Sequence, residues 1–122
     1  MLANTDRLVI LLTKGIESEL SSVAFTIANG GLTAGLKVSV FLTSTGIDVV
    51  RRNGQALTQV APLASLAELI ADFQRRGGAI WACPPCVESR GYAPEDFIEG
   101  VRVVGASAVF EEIKQGAATL SF

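Results

Sequence analysis

Five consecutive apolar residues, Leu8-Val9-Ile10-Leu11-Leu12, carry no polar alternation. A half-exposed strand would alternate, so this run fits a strand covered on both faces, as the crossover helices of a parallel sheet provide. Thr13-Lys14-Gly15 breaks it. Leu20, Val23, Ala24, Ile27 and Ala28 then recur at helical spacing up to Gly30 and Gly31, which predicts an amphipathic helix on that strand. Lys37 to Leu42 reads as a second strand, so the unit is strand-helix-strand with a right-handed crossover and two parallel neighbours. Gly30, Gly31 and Gly35 lack the spacing of a dinucleotide fingerprint and are read as close packing or the helix C-terminus.

The alternation of strand and helix continues. Thr43 to Gly46 is a loop feeding a short helical turn with Ile47, Val49 and Val50, and the stretch from Gln55 to Ala64, interrupted by Pro62, has no clean period. Ser65 and Glu68 have capping-box spacing ahead of Leu66, Leu69, Ile70 and Phe73, which repeat as one helix face. Ala79 to Ala82 is a third strand, Val101 to Val104 a fourth, and Ala118 to Phe122 a terminal apolar strand. Between them, Ala93-Pro94-Glu95-Asp96 is expected to start a short helix, and Ser107 to cap a last helix carrying Val109, Phe110 and Ile113. The expected fold is a three-layer α/β/α domain over residues 1–122 with a mostly parallel five-stranded sheet.

Composition narrows the chemistry. The chain has no histidine, so Ser-His-Asp and Cys-His hydrolases are excluded for want of an imidazole base. Basic residues are few, with only Arg51-Arg52 and Arg75-Arg76 paired, so no nucleic acid partner is expected. No apolar run approaches the roughly 20 residues that span a bilayer, and no membrane association is expected. The opening residues show no charged segment leading into an apolar one, as a signal peptide would. Two cysteines neither staple a secreted scaffold nor complete a structural zinc site, which points to the cytoplasm and to no metal or cofactor.

Those two cysteines stand as Cys83-Pro84-Pro85-Cys86, directly after the strand at Ala79. Neither proline can donate to a ladder, so the strand must end, and a helix is expected to start at Pro85 with Cys83 just outside it. Unpaired amides at a helix start favour a thiolate, with Cys86, Val87 and Glu88 supplying the nearest donors and Arg90 adding positive charge nearer Cys86. The competing reading is that both are small buried hydrophobes beside the sheet. The turn falls at the C-terminal ends of the strands, where open α/β sheets gather ligand-binding residues. Thr13, Lys14, Ser44 and Thr45, from the loops after the first two strands, are candidates for the rim of a shared pocket.

Several stretches together resemble the DsrE/DsrF-like family of small sulfur-relay proteins. They are Thr13-Lys14-Gly15, then Val40-Phe41-Leu42-Thr43 with Gly46-Ile47-Asp48, then Ala82-Cys83-Pro84-Pro85-Cys86 running on to Arg90-Gly91, and finally Glu99-Gly100-Val101 with Val103-Val104-Gly105-Ala106. The resemblance implies a five-stranded parallel α/β/α fold, a homo-oligomer (trimer or hexamer), and a cysteine that carries sulfur as a persulfide between donor and acceptor proteins. That cysteine is followed in the family by the glycine of an Arg-Gly pair eight positions on, and Cys83 stands at this distance from Gly91. Cys86 departs from the single-cysteine carriers and is similar to a peroxiredoxin-like branch. A second thiol so close can attack a persulfide and release sulfide.

Three functions are therefore expected to compete. The leading one is a cytoplasmic sulfur carrier, a sulfurtransferase in the broad sense, with Cys83 as nucleophile and Cys86 as resolving thiol. The second is a CxxC thiol-disulfide oxidoreductase, for which the sequence shows no cis-proline loop signature, Pro62 being unplaced. The third is a noncatalytic oligomeric module that binds a ligand.

Overall fold

The computed structural model describes residues 5–54 and 61–122. Its strands and helices follow one another as β1 (Arg7–Leu12), α1 (Glu19–Thr33), β2 (Lys37–Leu42), α2 (Leu66–Arg75), β3 (Ala79–Ala82), α3 (Pro84–Ser89), β4 (Val101–Val103), α4 (Ser107–Lys114) and β5 (Ala118–Ser121). A 3-10 helix, Ser44–Val50, follows β2, and a three-residue one, Pro94–Asp96, follows α3. The strands form a single sheet in the order β4-β3-β2-β1-β5, and every pair is parallel. The α/β fold expected from the apolar runs is present, with all five strands parallel.

Each face of the sheet has its own core. Leu8, Ile10 and Leu12 of β1, with Val38, Val40 and Leu42 of β2, pack against Ala24, Phe25 and Ala28 of α1 and Leu66, Ile70 and Phe73 of α2. Phe25 and Phe73 meet edge to face at 5.7 Å, which locks the two helices together. On the opposite face Val9, Phe41 and Trp81 lie under Val109 of α4. This second layer is thin. Its helix is held at the start of the strands by Glu112, a buried carboxylate that meets Arg7 at 2.6 Å and Lys37 at 3.3 Å.

Several boundaries differ from the sequence reading for local reasons. α1 runs to Thr33, so Gly30 and Gly31 lie inside it. A Cβ at Gly31 would stand 2.9 Å from Val38, so this glycine serves close packing of helix on strand. The expected helix after Ala93 is only the three-residue turn, and Phe97, just beyond it, is buried. Ser107 is the first residue of α4, and Ala106 takes the cap position without a side-chain acceptor. Of the three apolar residues that α4 carries, Val109 is buried, whereas Phe110 is 58% and Ile113 42% exposed. β5 is an edge strand with all four residues exposed. Residues 55–60 of the aperiodic stretch fall outside the described residues; Pro62 follows a cis peptide and lies exposed in the turn before α2.

Ser65 does cap α2, accepting from the Glu68 amide at 3.2 Å, and Ser18 caps α1 in the same way through Leu20. The ion triad on α4 generates a stability prediction. Glu112→Ala removes two charge-assisted contacts and is expected to cost about 1–3 kcal/mol, read from urea unfolding. An unchanged midpoint would show that apolar packing holds α4 without the ion triad.

Candidate functional site

The loops that follow the strands are drawn to one edge because each strand's ladder continues one residue past its end. Thr13, Thr43, Cys83 and Val104 donate their amides to Phe122, Leu12, Leu42 and Ala82 at 2.9, 3.0, 3.0 and 3.2 Å. Cys83 is thus placed by its own backbone in the middle of this row. Its φ/ψ of −66°/123° is extended, as proline demands of the residue before it, and α3 begins at Pro84, one residue earlier than the sequence suggests. The Val87 amide closes the first helical bond on Cys83 O at 3.0 Å.

Both cysteines are free and half-buried, and they divide between the two faces of the sheet. Cys83 packs on the Trp81 side, near Val104 and Ala108, whereas Cys86 packs on the α1 side. The Cys83 thiol pKa is raised. Burial is the main cause; the Cys86 amide pulls it back down, while a thiol hydrogen bond with Cys86 and its charge push it up again. That amide makes no formed cap to Cys83. The sequence expectation that helix amides lower this pKa is therefore corrected: two prolines have removed the first donors, and desolvation prevails.

Cys86 has a donor that the sequence reading did not identify. Ser44 N–H points at Cys86 Sγ at 3.1 Å, from a residue with φ of 53°. Ser44, expected at the rim, meets the site through its main chain. Thr45 Oγ1 donates to Thr13 O at 3.0 Å and Thr13 Oγ1 to Phe122 O at 2.9 Å, so both hydroxyls tie loops together. Lys14 is exposed, its carbonyl accepting from Ser21 Oγ at 3.0 Å. Arg90 does not meet either sulfur in a hydrogen bond. Its Nη1 donates to Cys86 O and to Ser89 Oγ, both at 3.3 Å, which suits a cation at the end of α3.

One further contact fixes the two segments that carry Ser44 and Cys86. Tyr92, just after α3, donates to Asp48 Oδ1 of the 3-10 helix at 2.6 Å, and the Arg51 guanidinium lies 4.5 Å over its ring. The hydrogen bond to Asp48, followed by desolvation, raises the Tyr92 pKa. Tyr92 escaped the sequence reading because a lone tyrosine has no spacing to betray its partner. A cavity of about 230 Å³, lined by Ile16, Asp48, Arg51, Arg52, Asn53 and Gly54, has neither cysteine in its wall. Among the described residues no group of three or more His, Cys, Asp or Glu side chains stands together as a metal set.

Comparison with known proteins agrees with this architecture. The model of the DsrE/DsrF-like family matches residues 6–122. An uncharacterized protein of Methanopyrus kandleri is 29% identical over 104 residues, covering 85% of this chain and 83% of its own. One from Methanocaldococcus jannaschii is 24% identical over 108 residues, covering 88% and 90%. Among solved structures, the ychN protein of E. coli superposes with a TM-score of 0.76 at 15% identity, covering 98% of this chain and 100% of that one. A protein of unknown function from Methanobacterium thermoautotrophicum gives the same TM-score at 19% identity, covering 95% and 98%. At such identities these superpositions establish the shared fold.

Two pH-dependent outcomes follow from the geometry. Alkylation of Cys83, resolved by peptide mass mapping, should rise with pH through a midpoint above that of the unfolded chain. Because the folded protein favours the protonated thiol, its share of stability is full below the unfolded value and is lost as pH climbs through the folded one. A midpoint below that of the unfolded chain would mean that the amides outweigh burial. The chain has a single tyrosine, so ultraviolet titration reads Tyr92 directly. Asp48→Asn should bring its ionisation down toward ordinary phenol, and no change would deny the Asp48 bond its role.

Proposed function

The chain belongs to the DsrE/DsrF-like family, and from that premise we propose that it is a cytoplasmic sulfur-relay protein carrying sulfane sulfur as a persulfide on Cys83. The observation that supports this reading most is the position of the cysteine pair: both sulfurs are half-exposed where the loops of a parallel sheet converge. The chemistry needs no imidazole. Cys83 thiolate attacks the outer sulfur of a donor persulfide, the donor's thiolate departs, and an acceptor's nucleophile later takes the sulfur in the same manner. A raised thiol pKa reduces the thiolate share at neutral pH but makes each thiolate a stronger nucleophile. An open edge, in place of an enclosed pocket, suits transfer between proteins.

The same pair supports a second reading, a thiol-disulfide oxidoreductase cycling a Cys83–Cys86 bond, since two free, half-buried thiols stand at CxxC spacing where α3 begins. A reduction potential too low to be reached by a glutathione buffer would count against it. The outward Phe110 and Ile113 of α4 support assembly with further copies of the chain, as a trimer or hexamer. Native mass spectrometry giving only monomer would remove that part. No helix among the described residues is long and apolar enough to cross a membrane.

The carrier reading is tested by intact mass after exposure to a persulfide donor. One sulfur should be gained by Cys86→Ser and, at the earliest times, by the wild type, and none by Cys83→Ser. Equal gain in Cys83→Ser would displace the role from Cys83.

A further inference from the structure

Ser44 and Asn53 are the non-glycine residues with positive φ among those described. For serine this left-handed backbone costs about 1 kcal/mol, so the surrounding structure must hold it. It does so from both sides. The Thr43 amide is engaged by Leu12 O, and the Gly46 amide by Thr43 O at 2.8 Å. Gly46 itself lies so close to Leu12 O that a Cβ would run into it, which presses the turn onto the end of β1. At the far end of the 3-10 helix, Asp48 is fastened to Tyr92 behind α3. The outcome is a main-chain N–H aimed at Cys86 Sγ at 3.1 Å.

A donor fixed on sulfur favours its anionic form. Cys83 has no formed bond of this kind and leans on the Trp81 side of the sheet. The two sulfurs therefore have unequal surroundings, with the oriented amide serving Cys86 and not the Cys83 that takes up the sulfur.

We infer that Cys86 is the attacking thiolate of a second activity, reductive release of the sulfane sulfur as hydrosulfide, with the Ser44 amide positioning and stabilising it. This rests on the reading of Cys83 as carrier. In the step, Cys86 sulfur forms a bond to Cys83 Sγ, the inner atom of the persulfide, three residues back at the start of α3. The bond between that atom and the outer sulfur breaks. The outer sulfur leaves with the bonding pair and its hydrogen as HS⁻, reduced from the sulfane level, while the two cysteine sulfurs are oxidised to a disulfide. The proton of Cys86 has already passed to solvent. A dithiol reductant then exchanges with the Cys83–Cys86 bond and returns both thiols, becoming a disulfide itself.

The test loads full-length protein with cysteine persulfide as the probe, removes the excess, and follows sulfide and intact mass without added reductant. Wild type should lose its extra sulfur as sulfide while forming one intramolecular disulfide, and Cys86→Ser should keep the sulfur at least about tenfold longer. If wild type retains sulfur as long as Cys86→Ser, release is overturned and the carrier reading stands. If neither variant gains sulfur, the carrier reading has failed first. The role of Ser44 is read by amide NMR of Cys83→Ser: the Ser44 proton, 3.1 Å from Cys86 Sγ through its nitrogen, should shift when Cys86 is alkylated, and an unresponsive resonance overturns it. Replacing the Thr43–Ser44 amide by an ester, which removes the N–H and leaves the positive φ in place, should slow sulfide release about tenfold; unchanged release in a folded variant also overturns it. Should that variant not fold, the NMR measurement decides alone.

Discussion

The molecule depends on the rule that parallel strands cannot be joined by tight turns. Every strand end must hand the chain to a crossover, and all such exits lie on one edge of the sheet. Here the ladder extends a single residue beyond the strands, through the amides of Thr13, Thr43, Cys83 and Val104. This row fixes where each loop begins. The cysteine turn is thus placed by main-chain hydrogen bonds in the interior of the sheet's edge, with β2 on one side and β4 on the other. A loop hung from its own side chains would not hold sulfur so firmly.

Much of this was readable from the residues alone. The uninterrupted apolar run of β1 demanded cover on two faces, and the structure supplies it with α1 and α2 on one side and α4 on the other. Ser65 with Glu68 announced α2, and the double proline announced the change from β3 to α3. What escaped was whatever depended on distant partners. Phe110 and Ile113 have the right spacing to face inward, but α4 turns toward the sheet the side that bears Val109 and Glu112, because Arg7 and Lys37 await that carboxylate. Periodicity locates an apolar stripe; it does not identify the charge that competes with it.

The site shows the same division. CxxC spacing located the two sulfurs, and the loops of Thr13, Lys14, Ser44 and Thr45 do open on their edge. The expected electrostatics did not follow, since the local rule that helix amides acidify a thiol assumes donors that Pro84 and Pro85 lack. Arg90 likewise answers to the carbonyl of Cys86 instead of its sulfur. The donor to Cys86 comes from a residue 42 positions away in sequence and through its backbone, which no side-chain pattern encodes. Tyr92 and Asp48 form a bond of similar reach, 44 positions, binding the two segments that must stay in register.

Trp81 is the only tryptophan and lies in the same apolar cluster against which Cys83 packs. An indole in such company has its excited state exposed to whatever is attached to the neighbouring sulfur. The protein therefore carries its own optical reporter, whose emission registers the chemical condition of Cys83 without a dye or label.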